Sequence, residues 1–399
     1  MIRINSFLHR QKLLDITHRW FFNRLEPGDL PLLKALINFN SIWIGRVGKD
    51  FATRFFHEFT GVHPTGQKIG SKGDFKDLLI ESPHYENARI RTLIRRYQER
   101  PERYFRETPF AGVAYQIMDG GKPTFVGSTR IKRVRRISEK GGRRVTNFIF
   151  EEIKEMADTL ALQRADALGI TKAELITSHT DMENEFERAE HHIEMEISRG
   201  SLFHRRMEFI LEDVLGAKVV AEDDQQDRVL QILKDNPACQ ILEVEHHRGR
   251  YNGTNVVFRY SPSKDELLQK PLEPSTLSKL ESCGMEPDTL EDEFRQFVLS
   301  GEESIHIELI MSTYQELLES EIGRSMHEER ILQQRLKQNY RGHLGRNVGY
   351  LMEYIFACAI SPRKEIEQLP LIIWNRYMPD YFDEVLKDLF HIPSFREIE

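Results

Sequence analysis

The feature that most constrains this chain is a change of apolar period near Thr108. Before it, apolar residues recur at helical spacing, as in "DLPLLKALINFNSIWIGRV" and in parts of "DFKDLLIESPHYENARIRTLIRRYQERP". Residues three and four apart share one helix face, so this region reads as helices with a packing role. After it, "FAGVAYQIMDGGKPTFVGSTRIKRVRRISEKGGRRVTNFIFEEI" alternates and is rich in β-branched residues, which suits strands. Asp119-Gly120-Gly121 and Lys140-Gly141-Gly142 offer the positive φ that tight hairpins need, so an antiparallel meander is predicted.

"FEEIKEMADTLALQRADALGI" then reads as a helix and "TKAELITSHTDMENEFERAEHHIEMEISRG" as one or two acidic, exposed helices. From Phe203 strands and helices alternate. Strands are predicted in "LGAKVVAED", "ACQILEVEHH", "GTNVVFRYS" and "SIHIELIMST". A helix is predicted in "DDQQDRVLQILKDN", with Val229, Leu230 and Leu233 on its apolar face. A charged insertion covers 262–302, and "YQELLESEIGRSMHEERILQQRLKQNY" is predicted as one long helix, with two or three more helices beyond it. The fold class is therefore α+β, a mixed sheet flanked by helices. A helical region covers 1–106, the α+β core covers 107–325 with a helical insertion near 151–200, and a second helical region covers 326–399. Several packed subregions suit a chain of 399 residues.

The net charge of −7 argues against a whole-molecule electrostatic grip on nucleic acid and leaves a local basic patch open. Cys239, Cys283 and Cys358 form no CxxC, which disfavours a zinc ribbon or disulfide framework and fits a reducing, cytoplasmic setting. No signal peptide is expected from the first residues. No membrane span is expected either, since "VGYLMEYIFACAI" is short and contains Glu353. P-loop, dinucleotide-binding, HExxH, GxSxG and kinase motifs are missing. His191-His192 and His246-His247 are adjacent pairs whose side chains diverge, so solvated or hydrogen-bonded roles are expected.

The strongest charge feature is "TRIKRVRRISEKGGRR". Read as a strand, it places Arg130, Lys132 and Arg136 on one face, with Arg133 and Arg135 on the other. A row of cations repels unless an anion neutralises it. The acids of the helix after Glu183 are one candidate. Phosphate or nucleic acid is the other, for which clustered arginine is suited.

The order of these segments resembles the synthetase domain of RelA/SpoT-type alarmone enzymes, the (p)ppGpp synthetases, which share a nucleotidyltransferase-like fold. The family's "DxxGxR(I/V)" is matched by "DVLGAKVV", with Asp213 and Gly216 in agreement and Lys218 in place of arginine. Its "GYRSxH" is matched by Tyr251 in "RYNGTNVVF", where Asn252 and Asn255 replace arginine and histidine. Its "ExQxRT" is matched by "ELIMST", where Glu308 and Thr313 agree while Ile310 and Ser312 depart. Its "RxKxxxS" is matched loosely by Arg130 and Lys132, with Arg136 at the serine position; "RGSLFHRR" is a second candidate closer to Asp213. The resemblance covers roughly 129–330 and requires a helical insertion between Lys132 and Asp213.

The resemblance implies a transfer of pyrophosphate from ATP to the ribose 3′-hydroxyl of a guanosine nucleotide or RNA, with Mg2+ as cofactor. Asp213 and Glu308 would be the catalytic and metal-binding carboxylates. Arg130, Lys132, Arg136 and Lys218 would meet phosphates, Tyr251 would stack on a base, and Asn255 would contact substrate. Plain structural roles stand beside these: Asp213 as a turn or cap, Glu308 facing solvent, Tyr251 as a sheet tyrosine. The departures also admit a catalytically inactive nucleotide- or RNA-binding or regulatory protein on the same fold. The helical flanks are the expected contacts for a homo-oligomer or a protein partner.

Overall fold

The computed structural model describes residues 1–82, 84–202, 208–249, 252–324, 326–336, 340 and 342–393. The chain opens with β1 (Ile2–Ile4), α1 (Arg10–Phe21) and α2 (Asp29–Thr60). Next come β2 (Thr65–Ser71), α3 (Lys72–Glu81) and α4 (Ala88–Glu99). The hairpin β3 (Pro109–Asp119) and β4 (Lys122–Ile131) follows, then α5 (Val134–Leu168) and α6 (His179–Arg199). The central part holds β5 (Phe209–Leu211), β6 (Leu215–Val220), α7 (Gln226–Asp235), β7 (Cys239–His247) and β8 (Gly253–Tyr260). Three helices, α8 (Lys264–Leu268), α9 (Pro274–Ser282) and α10 (Leu290–Leu299), lead to β9 (Ile305–Ser312). The chain then runs through α11 (Tyr314–Ile322), α12 (His327–Leu336), α13 (His343–Ile360) and α14 (Pro379–Leu389).

The protein is α+β, as its periodicities require. Seven strands form one mixed sheet in the order β2-β3-β4-β6-β9-β8-β7, while β1 and β5 pair separately. Within the large sheet β6 and β9 run parallel and the other neighbours antiparallel. Alternation along β9 shows why: Ile305, Ile307, Leu309 and Met311 are fully buried on one face, and His306, Glu308, Ile310 and Ser312 lie on the other. Ala217 and Val219 of β6 and Val256 and Phe258 of β8 continue the apolar face, and the 32-residue α2 packs across it. The contact is close because glycine meets it from both sides. A Cβ on Gly48 of α2 would sit 3.0 Å from Leu215, and one on Gly127 of β4 would sit 2.3 Å from Phe56 and 2.2 Å from the Lys218 carbonyl.

Four local expectations change. The Asp119-Gly120-Gly121 turn is present, with φ of 54° and 83° at its glycines, but Lys140-Gly141-Gly142 is not a hairpin. It lies inside α5, which begins at Val134 and so takes the second half of the basic run out of the sheet. There the glycines serve helix crossing: a Cβ on Gly141 would sit 3.0 Å from Ile2, and one on Gly142 3.5 Å from Gly349. Thr65–Ser71, read as part of a helical region, is an outer strand of the sheet. The helix predicted after β9 is two helices, broken after Ile322, where Gly323 packs against Glu319 with no room for a Cβ. Very short β1 and β5 escape periodicity because three residues carry no repeat.

Gly127→Ala tests the α2–sheet contact. It should lower stability by about 1–3 kcal/mol, the usual cost of forcing a methyl group into a filled core. A lower urea midpoint checks this, and an unchanged midpoint contradicts it.

Candidate functional site

Register builds the site. Arg130 of β4 is opposite Gly216 of β6, and Gly216 is opposite Glu308 of β9. Residues paired in register share a face, so Arg130 and Glu308 flank a position without a side chain. The Arg130 stem uses that gap: its Cγ and Nε lie 3.8 Å from where a Gly216 Cβ would be. The next row on this face holds Ser128, Lys218, Ile310 and Asn255.

Asp213 stands just before β6. Its neighbour Glu212 turns the other way, accepting from Asn5 Nδ2 at 2.6 Å and pairing with His306 Nδ1 at 2.8 Å. Asp213 faces the end of β4 and the second turn of α5, where its Oδ2 is bridged by the ammonium groups of both Lys132 and Lys140. Lys132 also donates to the Asp213 carbonyl at 2.9 Å. Burial alone would raise the Asp213 pKa, but the two lysines outweigh it and hold the carboxyl well below its usual range. Burial pushes the Lys132 ammonium down to about 8, against the pull of Asp213. Glu308 moves the opposite way: burial, then the charge of Asp213, raises its pKa despite Arg130, Lys132 and Lys140. The two carboxylates therefore share one electrostatic field and their pKa values are moved apart, a pattern that separates acid–base roles.

Two groups on this face lack partners. The Arg130 guanidinium forms no ion pair or hydrogen bond among the described residues. Asn255 places Nδ2 3.5 Å from Glu308 Oε1, and its buried Oδ1 has no hydrogen-bond partner among the described residues. A cavity of about 580 Å³ opens here, lined by Arg130, Lys132, Arg136, Lys140 and Asp213 and by residues of α12.

A second ionic layer backs the sheet. Glu321 of α11 is almost fully buried and joins Lys72 of α3 at 2.6 Å and Lys218 of β6 at 3.0 Å. Glu328 of α12 joins Lys72 at 3.2 Å and the fully buried Lys76 at 3.4 Å. His327 is held neutral, first by burial and then by Arg130 and Lys72.

Of the residues singled out in the sequence, Arg130, Lys132, Asp213 and Glu308 come together, with Asn255 beside Glu308. Arg136 does so from a different element: it is in the first turn of α5, not on a strand, because β4 ends at Ile131. It pairs with Glu139 and lines the cavity. Lys218 is occupied by Glu321. Tyr251, and the second half of the basic candidate "RGSLFHRR" (203–206), lie outside the described residues. The acidic helix does not neutralise the basic run, since Glu183 and Glu185 pair with His179 and Arg164. Lys72, Lys140, Glu321 and Glu328 were missed as site residues. Arg136, Lys140 and Arg143 are spaced for one helix face, a signal hidden by reading the glycine pair as a turn.

No family model, no curated protein and no solved structure matches this chain. Among the described residues no group of three or more His, Cys, Asp or Glu is arranged to hold a metal ion, and no helix is long and apolar enough to cross a membrane.

The Lys72–Glu321–Lys218 cluster yields a stability prediction. Burial acts to raise the Glu321 pKa, but Lys72 and Lys218 prevail and hold it below its ordinary 4.5. Its contribution is therefore fully present above that value and lost as pH falls through the folded one. Glu321→Gln should cost about 3–5 kcal/mol, since it strands Lys218 and leaves the buried Lys72 with Glu328 alone. It should also flatten the acid limb of the stability curve. Denaturant titrations at pH 7 and in mild acid check this, and equal stability of both proteins contradicts it.

Proposed function

We propose that the chain is a nucleotide pyrophosphokinase or nucleotidyltransferase of RelA/SpoT type, acting on ATP and a guanosine nucleotide or RNA acceptor. One observation carries the reading: Arg130 and Glu308 flank Gly216 in register, and Asp213, three residues before Gly216, sits between two lysines. Cations and a low-pKa carboxylate at one cavity, with a carboxylate of raised pKa across Gly216 from Arg130, are the parts such a transfer needs.

Arg130, Lys132, Lys140 and Arg136 would hold the donor phosphates and offset charge that develops on them. Glu308 would take the proton from the ribose 3′-hydroxyl; a carboxylate whose pKa is raised is the better base near neutral pH. The hydroxyl oxygen then bonds to the β-phosphorus of ATP, the bond to the bridging α–β oxygen breaks, and AMP leaves. Magnesium fits the residues present, since Glu308 and the orphaned oxygen of its neighbour Asn255 are hard donors, and Glu308 lies within the field of Asp213. Asp213 and Glu308 would hold it, and when bound it supplies neutralising charge to the phosphates. Because Asp213 is already neutralised by two lysines, the metal would enter with the nucleotide rather than ahead of it. That same neutralisation favours a second reading, a catalytically inactive nucleotide- or RNA-binding protein with this cavity.

The test is incubation with ATP, Mg2+ and a panel of guanosine nucleotides and RNA. AMP and a pyrophosphorylated product are expected. Glu308→Gln should cut the rate about 10²-fold or more while ATP still binds. Arg130→Ala should weaken ATP binding about tenfold or more, the value of a charge-assisted contact. Undiminished turnover by Glu308→Gln would sink the active-site assignment. ATP binding with no product under any condition would favour the second reading.

A further inference from the structure

A larger cavity of about 960 Å³ lies beside the first, walled by α5, α12 and α13. A bridge of side chains divides the two. Arg335 forks onto Glu139 at 2.9 and 2.8 Å, Arg136 joins the same carboxylate, and Arg143 reaches Gln334 at 3.5 Å. Arg136, Arg143, Gln334 and Arg335 line both cavities, and Glu139 only the larger. Arg130, Lys132 and Asp213 line only the smaller, and Arg324, Arg346 and Tyr350 only the larger.

The charge in the larger cavity is not balanced from within. Of the three acids in its lining, Glu139 is taken by Arg136 and Arg335, Glu353 sits 3.5 Å from Arg135, and Glu329 accepts from Gln333 at 3.2 Å; seven Lys and Arg side chains line the same cavity. Arg143, Arg324 and Arg346 have no carboxylate partner among the described residues. Burial, then the like charges of Arg136 and Arg144, lowers the Arg143 pKa. Arg346 is in the first turn of α13, where the helix dipole opposes a cation. A protein of net charge −7 thus concentrates unpaired guanidinium groups around one concavity.

We propose that this larger cavity binds a small polyphosphate, in the form of a nucleoside di- or triphosphate, independently of the first cavity. Guanidinium forks match phosphate oxygens, and several at one site match a chain of phosphates better than a single carboxylate. The volume falls in the range of about 300–1,000 Å³ usual for enclosed small ligands. Tyr350 supplies a surface for a base. Its ring is braced against Phe382 with centroids 4.5 Å apart and planes 17° apart. Gly349 beside it leaves open space where a side chain would stand.

Calorimetry of the full chain in low-salt, magnesium-free buffer tests this with three probes: inorganic triphosphate, ATP and GTP. Binding of inorganic triphosphate should be about tenfold weaker or more at one of two sites in Arg324→Ala/Arg346→Ala, since these two residues line only the larger cavity. It should persist at that site in Arg130→Ala/Lys132→Ala, so the outcome is independent of the transfer reaction. Arg346→Glu should be worse than Arg346→Ala, and both exposed positions can be altered without touching the core. Tyr350→Ala should weaken the two nucleotides but not inorganic triphosphate, which separates a nucleoside ligand from free polyphosphate. Unchanged binding in Arg324→Ala/Arg346→Ala overturns the proposal. So does a single-stranded oligonucleotide that binds where triphosphate does not, which would assign the surface to nucleic acid.

Discussion

The arrangement depends on the salt bridge that Asp213 makes with Lys132 and Lys140. One carboxylate ties together three elements: the start of β6, the end of β4 and the second turn of α5. It fixes where α5 leaves the sheet, and α5 in turn supplies one wall of both cavities. Ion pairs removed from water contribute little net stability, because desolvation offsets most of the Coulomb gain. What this one supplies is position. It collects cations around a carboxylate three residues before Gly216, the residue that Arg130 and Glu308 flank.

The layer behind it follows the same logic with different partners. Lys72, Lys76 and Lys218 are buried lysines that require acids, and Glu321 and Glu328 provide them from the two sides of the α11–α12 break. Gly323 permits the break, since a Cβ there would collide with the Glu319 backbone. A straight continuation of α11 would carry Glu328 along the helix axis instead of back over Lys76. The interruption is thus part of how the cationic interior is neutralised and how α12 comes to wall the cavities.

Much of this was legible residue by residue. The strict alternation in "SIHIELIMST" placed Glu308 opposite the apolar face, and the Asp119-Gly120-Gly121 turn located the β3–β4 hairpin. The match of "DVLGAKVV" put Asp213 at the head of a strand and Gly216 within it. Reading failed where one residue type serves two purposes. Gly141 and Gly142 give positive φ in hairpins but also allow helices to cross closely, and here they do the latter. A strand reading of "RIKRVRRIS" was right as far as Ile131 and wrong beyond it, because arginines and a valine fit either period over so short a run. Thr65–Ser71 carries four polar residues, two glycines and one apolar side chain that is buried, so its place at the sheet could not be read from alternation.

By itself the amino-acid order determined the elements and which face each side chain takes, because periods of two and 3.6 residues are local properties. It therefore determined that Asp213, Glu308 and Arg130 belong to the polar side of one sheet region. The tertiary structure alone decided who meets whom. Lys132 finds Asp213 81 residues away and Lys72 finds Glu321 249 residues away. These pairings come from strand order and helix crossing, in which β4 lies beside β6 and α3 beside α11. A buried charge must accept whichever opposite charge the packing brings within reach, and packing is a property of the whole chain.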